Sequence, residues 1–91
     1  MQFELVAEGI GQASEHHEEA ALELAEEFMR QHHMELEDAY SVYQAYLKNP
    51  DSQDGKLWVK LQKYANQVLY REMYENSLIT IKIYQNATPK N

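Results

Sequence analysis

Leu78-Ile79-Thr80-Ile81-Lys82-Ile83-Tyr84 alternates with a period of two, and its β-branched and aromatic residues put Ile79, Ile81 and Ile83 on one side of a strand. A lone strand is unstable, so this one needs a neighbour. The only other segment with such alternation is Gln2 to Ala7, where Phe3, Leu5 and Ala7 recur at every second position. The two chain ends are therefore predicted to pair antiparallel, with Phe3 and Leu5 on the same apolar face as the three isoleucines. Residues 1–8 also admit a helical reading through Phe3, Val6, Ala7 and Ile10.

Between these segments the period is 3.6. Gly9, Gly11, Ala13 and Ser14 interrupt the pattern, and Ser14 is a good N-cap for a first helix over about 15–33. Ala21, Leu24, Ala25, Phe28 and His32 form its apolar side, and Glu15, Glu19, Glu23, Glu26 and Glu27 gather on the other. A second helix, about 36–48, carries Leu36, Ala39, Tyr40, Tyr43 and Leu47 as its stripe, with Glu35, Glu37 and Asp38 complementing the dipole at its start. Asn49 to Gly55 supplies Pro and Gly as breakers. A third helix then runs over about 56–75, with Leu57, Leu61, Tyr64, Ala65 and Val68 inward and Trp58 and Leu69 flanking. Lys56, Lys60, Lys63, Gln67, Tyr70, Arg71 and Tyr74 make a basic and aromatic face opposite. The expected fold is α+β and mostly α: three amphipathic helices closed by a two-stranded ribbon over about 2–7 and 78–84. Residues 1–86 form one small domain and 87–91 a frayed tail.

Charge is distributed unevenly. Eleven of the fifteen acidic residues lie between Glu4 and Asp38, where Arg30 is the only basic one, which leaves −10 on residues 1–38. Seven basic residues against four acidic ones leave +3 on residues 39–91. If the first and third helices are neighbours, their charged stripes can pair, at about 0 to 1 kcal/mol per exposed pair. Otherwise each stripe is open to a partner.

Several function classes are disfavoured. With 91 residues, folding buries only about 60 to 65 percent of the chain's surface, which leaves little room for a deep cavity. The 44% hydrophobic content argues against wholesale disorder. The absence of cysteine removes disulfides, thiolate catalysis and cysteine-bound zinc. A net charge of −7 disfavours direct binding to nucleic acid or anionic membranes, and the segments around the helices lack a helix-turn-helix pattern. Residues 1–11 carry Glu4 and Glu8 where a signal peptide requires basic residues, and no apolar run has transmembrane length, so a soluble, cytoplasmic protein is expected.

No motif for a cofactor or metal emerges. His16-His17 and His32-His33 stand beside glutamates, but 15 residues between His17 and His32 span roughly 22 Å of helix, too far for one site. His17 and His32 fall beside the core stripe, where a protonation change would act on stability or assembly. Asn49 to Gly55 lacks the glycine and glutamate positions of a calcium loop. Glu72 projects on the apolar side of the third helix, and no second acid or nucleophile can be placed next to it from spacing alone. It reads as turned to solvent or paired locally. Asn86-Ala87-Thr88 matches a glycosylation acceptor by pattern only.

Tyr40, Tyr43 and Tyr64 sit on core stripes, whereas Tyr46, Tyr70 and Tyr74 do not; tyrosines beside basic residues suit a protein interface. The reading is a non-enzymatic protein-binding module, adaptor or regulator that associates with itself. It would use the ribbon edge or Lys56, Lys60, Lys63, Tyr70, Arg71 and Tyr74. The alternative is an acidic inhibitor in which Glu15, Glu19, Glu23, Glu26 and Glu27 mimic nucleic-acid phosphates. In size and charge, and in no motif, such a domain resembles phage antirestriction and anti-CRISPR proteins.

Overall fold

The structure, a computed structural model, describes residues 2–72 and 76–86. Strand β1 (Gln2–Ile10) leads into helices α1 (Glu15–Gln31), α2 (Leu36–Lys48), α3 (Gln53–Ala65) and the short α4 (Gln67–Tyr70), and strand β2 (Leu78–Asn86) ends the described chain. This is the expected α+β, mostly helical architecture, and the two chain ends form its antiparallel ribbon. Residues 87–91, read as a frayed tail, lie outside the described residues, as does Tyr74.

The ribbon is longer than its alternation suggested, because Gly9 continues the strand instead of ending it. Pairing runs from Gln2 opposite Asn86 to Ile10 opposite Leu78, and it sets Leu5, Ala7 and Gly9 beside Ile83, Ile81 and Ile79. Strand and not helix is therefore the state of residues 2–10. Burying each isoleucine contributes about 1.5 to 3 kcal/mol, and all three are enclosed by the helices while Phe3, Leu5 and Ala7 pack against them half-buried. The chain leaves β1 through Gly11, whose φ of 72° favours glycine; a Cβ there would come within 2.5 Å of the Asn76 carbonyl oxygen.

Caps account for the helix boundaries. Ser14 caps α1: its Oγ accepts the His17 N–H, and His17 Nδ1 accepts the Ser14 N–H at 3.0 Å, so a histidine takes the role that glutamate holds in most capping boxes. The helix stops at Gln31 rather than His33 because His33 adopts φ 55°. The Met34 N–H then turns back to the Met29 carbonyl and the His33 N–H to that of Arg30, a Schellman termination. Helix α3 begins at Gln53, three residues before Lys56, because the Ser52 hydroxyl accepts the Gly55 N–H at 3.0 Å. Gly55 is thus a first-turn residue and not a breaker, and it is glycine because a Cβ would meet the Asn49 and Pro50 carbonyl oxygens at 2.5 and 2.8 Å.

The core stripes are rotated from the expected ones. On α3 and α4 the enclosed residues are Trp58, Leu61, Ala65 and Leu69, with Leu57, Tyr64 and Val68 at the margin. On α2 they are Ala39 and Val42, while Leu47 is 55% exposed. Met29 joins Ala21, Ala25 and Phe28 on α1, and His32 instead lies exposed, its ring stacked on Phe28 at 4.1 Å. Alanines at 21, 25, 39 and 65 let the helices approach closely, and the gaps are filled by aromatic contacts: Phe28 with Tyr64 at 5.9 Å, Tyr43 with Trp58 at 5.0 Å. Tyr46, read as lying off the core, is half-buried against it.

The third helix does not run unbroken to residue 75. It ends at Ala65, and Asn66 separates it from α4. Asn66 is 2% exposed, and its carboxamide pairs with both polar groups of one residue of β2: Nδ2 donates to the Ile79 carbonyl at 2.8 Å, and the Ile79 N–H donates to Oδ1 at 2.9 Å. Nδ2 also donates to the Gln62 carbonyl. One turn earlier, Gln62 Oε1 accepts the Ile81 N–H. Asn66→Ala leaves both Ile79 groups buried without partners, at about 1 to 3 kcal/mol each. Chemical denaturation should show a loss of about 2 to 5 kcal/mol in unfolding free energy, whereas Gln67→Ala on the same turn should leave it within about 0.5 kcal/mol.

Candidate functional site

The two charged stripes do not neutralise each other. Helices α1 and α3 are packed neighbours, yet among the described residues the ion pairs are His17 with Glu72 and Lys82 with Glu8, and none joins the carboxylates of α1 to the lysines of α3. Glu15, Glu19, Glu23 and Glu26 are exposed and Glu27 is half-buried, accepting a hydrogen bond from Gln31 Nε2 at 3.3 Å. Lys56, Lys60, Lys63 and Arg71 are likewise exposed. Contact through alanines and aromatics brings the inner faces together and leaves the charged ones outside.

The basic face divides in two. Lys56 and Lys60 border an open depression with Gln53, Asp54 and Leu57. Lys63 and Tyr70 border another, of about 200 Å³, whose floor is Gln62 and Asn66 and whose walls include Tyr46, Val59 and Leu78. Tyr70 is 58% exposed and Leu78 42%, so this second depression has an apolar lip beside one cation. Spacing along the expected helix over 56–75 groups Lys63 with Tyr70, but it could not show Tyr46 and Leu78 beside them.

Glu72 is turned to solvent as expected, but its partner is distant and not local: Oε1 lies 3.1 Å from His17 Nε2, across 55 residues of chain. Because Nδ1 of the same ring faces the Ser14 hydroxyl at 2.9 Å, serine, histidine and carboxylate stand in a row. That row has the composition of a nucleophilic triad. Its hydrogen bonding is that of a helix cap, however, since the Ser14 N–H also donates to Nδ1 and the hydroxyl accepts the His17 N–H. The lone pair that would serve as general base already holds an amide. Among the described residues no group of three or more His, Cys, Asp or Glu side chains converges as a metal site, and no helix is long and apolar enough to cross a membrane.

The edges of the ribbon are unlike each other. Ile79 turns its N–H and C=O away from β1 and onto Asn66, so by the antiparallel alternation its opposite number Gly9, and with it Ala7, Leu5 and Phe3, turn theirs to the outer edge of β1. The Gly9 N–H is taken by Glu18 Oε2 at 2.8 Å. For Phe3, Leu5 and Ala7 the outward groups have no partner among the described residues. The edge of β2 is thus occupied at both groups of Ile79 and at the Ile81 N–H by Asn66 and Gln62, and that of β1 is open over three outward-facing residues. The missed residues are Gln62, Asn66 and Glu18. An amide directly after an enclosed apolar residue, as Gln62 follows Leu61 and Asn66 follows Ala65, was the available signal for the first two; Glu18 carried none.

Comparison with family models, with curated proteins and with solved structures returns no match.

On the outer face of the ribbon, Lys82 Nζ lies 3.0 Å from Glu8 Oε1, and the Tyr84 hydroxyl donates to the same carboxylate. Hydrogen bonding and charge from Lys82 hold the Glu8 carboxyl below its ordinary value, and Glu8 in turn raises Lys82. Burial raises the Tyr43 hydroxyl. For Glu8 the folded value is the lower one, so its contribution to stability is present above the unfolded carboxylate value and is lost as pH falls through the lowered one. For Lys82 it is present below the unfolded lysine value and is lost as pH rises through the raised one. A side-chain NMR titration should find Glu8 below the ordinary glutamate value, and Lys82→Met should raise it.

Proposed function

We propose that this chain is a non-enzymatic protein-binding module, an adaptor or regulator, that acts in the cytoplasm and associates with itself. The observation that carries this reading is the open edge of β1 over Phe3, Leu5 and Ala7, on a ribbon whose other edge is held at Ile79 and at the Ile81 N–H by Asn66 and Gln62. An edge of unpaired peptide groups is a template for another strand, and stable domains blunt such edges when they have no use for them. A second contact is offered by the depression at Lys63, Tyr70, Tyr46 and Leu78, where an exposed tyrosine and a lysine adjoin apolar surface, the composition protein interfaces favour. Multi-angle light scattering should show a mass rising from one chain toward two as concentration increases. A constant single-chain mass up to millimolar concentration would remove self-association from this reading.

A second reading, an acidic inhibitor that mimics nucleic acid, is favoured by the exposed, unpaired carboxylates at Glu15, Glu19, Glu23 and Glu26, with Glu27 beside them. Its complex with a nucleic-acid-binding enzyme would weaken steeply with salt. Charge reversal at Glu19, Glu23 and Glu27 should abolish inhibition of that enzyme, and retained inhibition would dismiss the mimic.

A further inference from the structure

We infer that the occupant of the open β1 edge is a second copy of this chain, paired β1 to β1 about a two-fold axis at Leu5 into a four-stranded sheet of order β2-β1-β1-β2. The inference rests on the self-association proposed above and adds its surface and its register.

A two-fold axis normal to the sheet makes the two β1 strands antiparallel and the contact self-complementary. With the axis at Leu5, each Leu5 faces the other, and Phe3 of each copy faces Ala7 of the second. All three turn their peptide groups outward, so all three crossings are hydrogen-bonded pairs that use both groups of each residue. The open edge is used in full. Pairing stops beyond Ala7 because the Gly9 N–H is already held by Glu18.

Side chains select the same register. Phe3, Leu5 and Ala7 share the core side of the sheet and are only half-buried, unlike their β2 neighbours Ile81 and Ile83. Across the axis, large Phe3 falls beside small Ala7 and leucine beside leucine, so each copy covers the apolar strip the other leaves uncovered. On the opposite face, Glu4 falls beside Val6 and Glu8 beside Gln2. Sliding the strands by two residues in one direction sets Glu4 against Glu4, and in the other sets Glu4 against Glu8; like charges directly opposite are destabilising. The axis at Leu5 is the one that uses all three open residues without opposing carboxylates. Because each copy carries a net charge of −7, screening by salt favours the pair, the reverse of the mimic's behaviour.

The chain has no cysteine, so an introduced one reports without interference. Residues in a hydrogen-bonded antiparallel pair have Cα atoms about 5.5 Å apart, within reach of a disulfide. Leu5→Cys should therefore cross-link to a covalent dimer under mild oxidation, and Glu23→Cys, on the exposed side of α1, should not. Ala7→Pro removes an outward N–H without touching the β1–β2 ladder. It should lower dimer affinity at least tenfold while circular dichroism remains that of the folded chain. In the unaltered protein, amide exchange at Phe3, Leu5 and Ala7 should slow at least tenfold between dilute and concentrated solution, a measurement that does not depend on any variant folding. A dimer with no concentration-dependent protection at these amides and no Leu5→Cys cross-link overturns the β1 edge while leaving self-association standing. A strict monomer overturns both, and an extended peptide would then be the remaining occupant of the edge.

Discussion

The Asn66 carboxamide bound to the Ile79 peptide is the interaction on which the rest of the structure depends. A two-stranded ribbon has two edges, and a buried one would leave N–H and C=O groups without water or partner. Asn66 meets Ile79 as a neighbouring strand would, with one donor and one acceptor at about 2.8 and 2.9 Å. To point that way, the chain gives up helical continuity between Ala65 and Gln67. The result is α3 and α4 locked to the end strand, with Trp58, Leu61, Ala65 and Leu69 in one buried cluster with the three isoleucines.

Holding one edge at Ile79 and Ile81 gives the ribbon a polarity. On β2 both outward groups of Ile79 and the N–H of Ile81 are engaged by side chains, whereas on β1 those of Phe3, Leu5 and Ala7 have no partner among the described residues. Charge has a similar asymmetry. Helices α1 and α3 meet through alanine and aromatic side chains, which permits close approach, and that geometry sends the glutamates and lysines to solvent instead of to each other. Exposed pairs would have contributed little in any case. The dispersion and burial gained by the alanine contacts outweigh them, and the two stripes remain available.

Much of the architecture was legible in residues alone. Period two over Leu78 to Tyr84, capping by Ser14, acidic residues at the start of α2 and the proline after it all carry their meaning locally, because each acts within a turn or two of backbone. What misled were positions whose neighbours are distant. Gly55 reads as a breaker until the Asn49 and Pro50 carbonyls are seen against its α-carbon. His33 reads as helical until its left-handed backbone closes a Schellman turn. The rotation of the α3 stripe toward Trp58 follows from where Tyr43 and the isoleucines lie, which no helical wheel contains. Among the candidate site residues, Lys56, Lys60, Lys63, Tyr70 and Arg71 are indeed at the surface. The division of Lys56 and Lys60 from Lys63 and Tyr70 between two depressions depends on Asp54 on one side and on Tyr46 and Leu78 on the other, and Arg71 borders neither.

The amino-acid sequence by itself determined three helical segments in order and a C-terminal strand, and it favoured the pairing of the chain ends while leaving a helical reading of the first eight residues open, because hydrophobic period, capping and the instability of a lone strand are local or combinatorial constraints. Only the tertiary structure decided which peptide groups stay free. That depends on where three side chains, Glu18, Gln62 and Asn66, reach after the helices pack. A side-chain amide or carboxylate saturates a backbone group only at hydrogen-bonding distance, and that distance is set by the fold and not by the spacing of residues along the chain.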